Sequence, residues 1–227
     1  MGFYEDLMKA TEAEREEMLA IPFLRAGVAA EVGADDYLAF LEQAYHHVRH
    51  TVPLLMACGA RLPERLGWLR EAVAEYIGEE LGHEEWILSD IRAAGGDPSA
   101  VVADRPAQAT ELMVAYAYDQ VQRRNPVGFF GMVLVLEGTS VSLATAAADA
   151  LQRELGLPGE AFSYLRSHGS LDLDHLDFFR GLMDRLDDPD DREAVVHAAR
   201  VFYRLYGDIF RGLSLRTAVK EARYATA

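Results

Sequence analysis

A chain of 227 residues, half of them apolar, is long enough to bury a substantial core and too hydrophobic to remain disordered. Its formal charge of −15, from 22 basic and 37 acidic residues, argues against nucleic acid or an anionic membrane as partner. A single cysteine, Cys58, excludes an internal disulfide framework and a thiolate metal cage, and suits a reducing compartment.

The N-terminal stretch M-G-F-Y-E-D-L-M-K-A-T-E-A-E-R-E-E-M reads as a charged amphipathic helix without a signal-peptide pattern. The longest apolar run, Val127–Leu136, is half of the ~20 residues that span a bilayer. A soluble cytoplasmic protein is expected. Apolar residues recur at steps of three and four almost throughout, and no stretch alternates as a strand would. This periodicity predicts helices over 3–19, 35–59, 63–93, 107–123, 126–155, 158–183 and 189–214. Turn-like segments such as G-G-D-P at 95–98 and D-D-P-D-D at 187–191 separate them. The expected fold is one all-α domain over residues 1–227, its sequential helices roughly antiparallel across short connections.

Helix 35–59 has a core stripe of Tyr37, Phe40, Leu41, Ala44, Val48, Val52 and Leu55. Glu42, His46 and His50 recur at i, i+4 and i+8 and offer a metal face. The stripe already supplies the buried side, so a flanking position is the plainer reading for them. His47 and His50 remain candidates to reach a substrate pocket, and Pro53 should bend the helix. In helix 63–93 the stripe Leu66, Leu69, Val73, Tyr76, Ile77, Ile87 and Ile91 has a gap filled by Glu80 and His83. This E-x-x-H pair can grip one ion. Glu79 and Glu84 are adjacent competitors, and Glu79 is the alternative ligand if the register is shifted by one. In helix 126–155, Glu137 is the only charged residue between Arg124 and Asp149, in the middle of an apolar stripe. Such a carboxylate is protonated, hydrogen-bonded or bound to a metal.

Helix 158–183 carries the densest pattern. Phe162, Leu165, Phe179 and Leu182 share one face, and His168, Asp172 and His175 lie on the same stripe. At ~100° per residue, Asp172 is rotated about 40° and His175 about −20° from His168. Burying such groups without partners costs several kcal/mol each, and a shared cation removes that cost. Three helices thus contribute three carboxylates and three imidazoles: Glu80, His83, Glu137, His168, Asp172 and His175. Nitrogen and oxygen donors without sulfur favour iron or manganese over structural zinc. Six protein ligands suit two ions, with Glu137 bridging. Tyr76, Phe130 and Tyr164 are candidates to line an apolar substrate pocket, although ordinary core is the plainer reading of each.

At four segments the chain resembles a known family. These are Y-H-H-V-R-H-T-V-P-L-L (45–55), Y-I-G-E-E-L-G-H-E-E-W-I-L (76–88), L-E-G-T-S (136–140) and S-H-G-S-L-D-L-D-H (167–175). They are similar to the haem-oxygenase-like di-iron oxidases and oxygenases, or iron-containing redox enzymes. That family belongs to the haem oxygenase, thiaminase II and pyrroloquinoline-quinone-synthase superfamily. The resemblance implies a seven-helix haem-oxygenase-like bundle and two ferrous ions held by the six residues above. Its activities are dioxygen-dependent: amine or amino-acid N-oxygenation, oxidative C–C cleavage or desaturation. It also implies a homodimer. Some members place the first glutamate two turns before the histidine, where this chain has Tyr76. No haem is expected. Haem oxygenase would use His46 or His50 as axial ligand and needs further glycines where Gly138 is followed by T-S-V-S-L-A-T. The alternatives are a metal-free enzyme of thiaminase II or quinone-synthase type and a non-catalytic binding or regulatory bundle. Thiaminase II needs a nucleophilic cysteine on a later helix than that of Cys58.

Overall fold

Periodicity at three and four residues is realised as helix through most of the described residues. The computed structural model describes residues 2–213, apart from the side chains of residues 140–143, 145 and 168–175. The described residues form twelve α-helices and no strand. They are α1 (Phe3–Ala10), α2 (Glu12–Leu19), α3 (Pro22–Val28), α4 (Ala34–Val48), α5 (Thr51–Arg61), α6 (Gly67–Glu80), α7 (His83–Ala93), α8 (Pro98–Ala103), α9 (Gln108–Arg123), α10 (Phe130–Leu155), α11 (Ser163–Arg185) and α12 (Pro189–Gly212). Single 3₁₀ turns lead into α6, α10 and α11.

All seven expected helices are present, but three are interrupted and two short ones, α3 and α8, are added. The break at Arg49–His50 lies one turn before Pro53. Proline has no N–H to donate, and its ring excludes the carbonyl four residues back, so α4 cannot run through. The break at Leu81–Gly82 has a different cause. Leu81 turns extended, with ψ 119°, and Gly82 adopts the left-handed region at φ 89°. Only glycine takes up that conformation without strain.

A hydrophobic cluster running from Phe3 to Phe210 fills the interior. The apolar helix α10 lies against α11 and α12, with α3 packed on it, while α4 packs against α7 and α9. At Gly131 the backbones of α10 and α12 come into contact. A Cβ there would fall 2.5 Å from Ala199 N and 2.8 Å from Val195 O. Asp191, in the first turn of α12, is gripped from two other elements. Arg65 donates to its two oxygens at 2.6 and 3.1 Å, and the amide of Asn125 donates at 2.8 Å. Among the described residues, no helix is long and apolar enough to cross a membrane.

Candidate metal centre

The break at Gly82 sets the geometry of the E-x-x-H pair. Glu80 ends α6 and His83 opens α7, so they do not share one helix as the sequence predicts. The turn between them nevertheless brings Oε2 of Glu80 to 3.1 Å from Nδ1 of His83. Two donors bound at ~2.1 Å and at right angles around one ion stand about 3.0 Å apart, so this pair fits a shared cation. His83 is buried, and its ring lies against the indole of Trp86, with centroids 4.1 Å apart and planes 28° from parallel. Glu79 is exposed whereas the Glu80 side chain is 13% exposed, which favours Glu80 as the inward-facing carboxylate.

Glu137 arrives from α10, and it and Glu80 line the same interior cavity, of about 60 Å³. Tyr76 and Tyr164 line it too, along with Phe129 and Tyr206. Phe130 is fully buried beside Phe129. His47 stands edge-on to Tyr206, and Nδ1 of His50 lies 3.1 Å from the hydroxyl of Tyr118 on α9. Tyr76 is buried, and its hydroxyl pKa is raised far above the usual tyrosine range. Desolvation contributes most, followed by the charge of Glu137 and then those of Glu79 and Glu80. Burial and these carboxylates therefore both favour the protonated phenol.

His168, Asp172 and His175 are on α11, and their side chains lie outside the described residues. Among the described residues no three His, Cys, Asp or Glu side chains converge closely enough to hold an ion by themselves. Of the six candidates, the described side chains are Glu80, His83 and Glu137: Glu80 is near His83 and shares a cavity with Glu137, without the three converging on one point. One tie, between α7 and α11, could not have been found from the sequence. Buried Asp90 on α7 accepts from the backbone N–H of Ser163 at 3.2 Å and of Tyr164 at 2.9 Å, and from the Ser163 hydroxyl. Desolvation raises its pKa, and these three donors oppose the rise. The helix that begins with His83 thereby caps the helix that carries His168, Asp172 and His175.

Similar folds occur in solved structures. A protein of Shewanella denitrificans, described as a domain of unknown function with a heme oxygenase-like fold, superposes with a TM-score of 0.82. It is 21% identical, and the match covers 99% of this chain and 95% of the other. Heme oxygenase-1 of the cyanobacterium Synechocystis, solved with heme, gives 0.74 at 14% identity over 100% and 99% of the two chains. A TenA homologue of Pseudomonas syringae gives 0.76 at 9% identity over 92% and 91%. At these identities the likeness establishes a haem-oxygenase-like fold. No curated protein matches the sequence. The profile of the iron-containing redox enzymes matches residues 38–207, a span that holds all six candidate ligands, and this chain belongs to that family.

Proposed function

We propose that the protein is a non-haem di-iron enzyme that activates dioxygen to oxidise a small organic substrate: an amine, an amino acid or an acyl chain. The observation that best supports this is the meeting of Glu80 and Glu137, 57 positions apart in sequence, on one interior cavity, with His83 3.1 Å from Glu80. In this reading Glu80 and His83 would hold one ion and His168, Asp172 and His175 the other, with Glu137 shared between them. Ferrous iron bound there would supply part of the electrons by which dioxygen is reduced as it oxidises an organic molecule. The chain's own residues do the rest. Three carboxylates offset the charge of the cations, and the apolar walls from Leu55, Met132 and Val133 exclude water. The stack of Trp86 on His83 fixes the plane of the imidazole.

A thiaminase-type reaction through Cys58 is disfavoured. Its sulfur is fully buried, 3.4 Å from the carbonyl oxygen of Pro126, and burial pushes the thiol pKa up to about 12. A thiol held so far from ionisation is a poor nucleophile. The lone buried cysteine also accords with a cytoplasmic location. We further infer a homodimer, which light scattering would report as twice the 25.2 kDa of one chain. Anaerobic titration with Fe(II), followed by oxygen-electrode measurements with amines, amino acids and fatty acids, tests the main reading. Two irons per chain and substrate-dependent oxygen uptake are expected. A chain that binds no iron would not be this enzyme.

A further inference from the structure

Beside the cavity that Glu80 and Glu137 line is a second one, of about 90 Å³, bounded by α3, α4, α10, α11 and α12. Tyr164 and Tyr206 line both, so the two spaces adjoin at these side chains. Phe23, Leu24, Phe40, Leu151 and Phe210 are among its apolar lining. The polar groups among its lining residues include the hydroxyls of Tyr37 and Thr139, and each is committed to backbone. Tyr37 donates to the carbonyl of Ala161 at 2.7 Å, and Thr139 to that of Val135 at 2.5 Å. Among the described residues, no charged side chain lines this space.

Well-packed interiors keep few voids larger than a water molecule, and each void weakens the fold. An apolar space of this kind stays dry and takes up apolar guests. It also has an outward side. Gly27 lines it, a Cβ built there would meet no atom within 4 Å, and the neighbouring Val28 is 41% exposed. We infer that this cavity under α3 is the receptor for an alkyl arm of the substrate, whose reacting end lies past Tyr164 and Tyr206 at Glu80 and Glu137. The inference rests on the di-iron reading for the position of that reacting end. An engineered cavity of ~150 Å³ holds benzene, so this one takes an arm of roughly three to five carbons.

The test is a homologous series of n-alkylamines and n-alkanoates of two to eight carbons, measured by calorimetry on the full-length protein, both chelator-treated and loaded with Fe(II) under anaerobic conditions. In at least one of the two series affinity should rise about fourfold per methylene until the cavity is full, and then level off. Gly27→Leu places its side chain in the open space, so it should flatten the series while leaving the two-carbon member unchanged. Ala147→Phe should do the same from the α10 wall, with circular dichroism confirming that each variant is folded. Affinity independent of chain length in the unaltered protein overturns the inference, as does an unchanged series in both folded variants. Iron stoichiometry is scored separately. A chain-length series without iron binding would leave the receptor standing and remove the di-iron reading, and two irons without a series would do the reverse.

Discussion

The two proposed ions have unequal sets of ligands, and this predicts unequal metal sites even though His83 is held by Glu80 at Nδ1 and by Trp86 across its face. One proposed ion has Glu80, His83 and a share of Glu137. The other has three ligands spaced along one helix plus its share of Glu137. Ordering each long side chain costs up to ~2 kcal/mol of rotamer freedom, so the less preorganised site should bind more weakly. His83→Ala is therefore expected to retain about one iron per chain and lose turnover, whereas His175→Ala should lose both. Anaerobic Fe(II) titration of the two variants, compared with the unaltered protein, decides it. Equal, tight binding at both sites in the unaltered protein would show the ligands to be misassigned. Cys58 gives a second expectation at this scale. With its thiol pushed up to about 12 by burial, it should resist thiol reagents at pH 8 and react only after unfolding in denaturant. Stoichiometric labelling of the folded protein would contradict the burial on which this rests.

The helices themselves were legible from periodicity, and of their interruptions only the one before Pro53 was signalled in the sequence. Gly82 sits inside a run that keeps its three- and four-residue spacing on both sides, so nothing in the pattern marks it as a left-handed residue. The same spacing placed Glu80 and His83 together for a reason that proved incorrect: they meet across a turn rather than along one helix. The six and seven residues of α8 and α3 are too few to show a period at all. The candidate ligands, by contrast, stand out in the sequence because a charge on an apolar stripe is a local anomaly, and of the six the structure describes the side chains of Glu80, His83 and Glu137. The cavity under α3 does not stand out, since α3, α4, α10 and α12 meet only in the folded chain. A pair of glycine variants measures the break. Gly82→Ala forces a side chain into φ 89° and should lower stability by about 1–2 kcal/mol. Gly78→Ala lies inside α6, where an added Cβ meets nothing within 4 Å, and should raise stability by about 1 kcal/mol. Chemical denaturation reads both. If the two glycines respond alike, the turn is not what separates α6 from α7.

At the scale of the molecule, ionisable groups with displaced pKa values set how stability responds to acid. Burial pushes the Asp191 carboxyl up, but the bonds from Arg65 and Asn125 outweigh it and leave the pKa below the ordinary value. A depressed carboxylate contributes stability above its unfolded pKa, ~3.9, and loses that contribution as pH falls through the folded value. His46 and His50 act in the same direction at higher pH. Burial and then the positive charge of Arg49 lower both. The unfolded chain therefore takes up protons first, below pH ~6.5, and stability declines as pH falls from there. Melting temperature should decrease from pH 7 to pH 5 and decrease again below pH 4. Asp191→Asn should blunt the second decrease and leave the first intact. A flat profile across both windows would mean that neither the histidines nor Asp191 are held as described.

The contact at Gly131 carries the question of precision from the backbone to the chemistry. It lies six residues before Glu137 on the same helix, and no side-chain atom stands between α10 and the α12 backbone there. The seating of Glu137 in its cavity is thus gauged by a missing methyl group, much as a shim sets the height of a part. Gly131→Ala inserts that methyl 2.5 Å from Ala199 N and must lift α10 or tilt it. A displacement of ~1 Å at a reacting centre can cost about a hundredfold in rate. Turnover in Gly131→Ala is therefore expected to fall far more than its melting temperature would suggest, with iron still bound through α11. A variant that loses stability and activity in proportion would show that the close fit of α10 to α12 serves the fold alone.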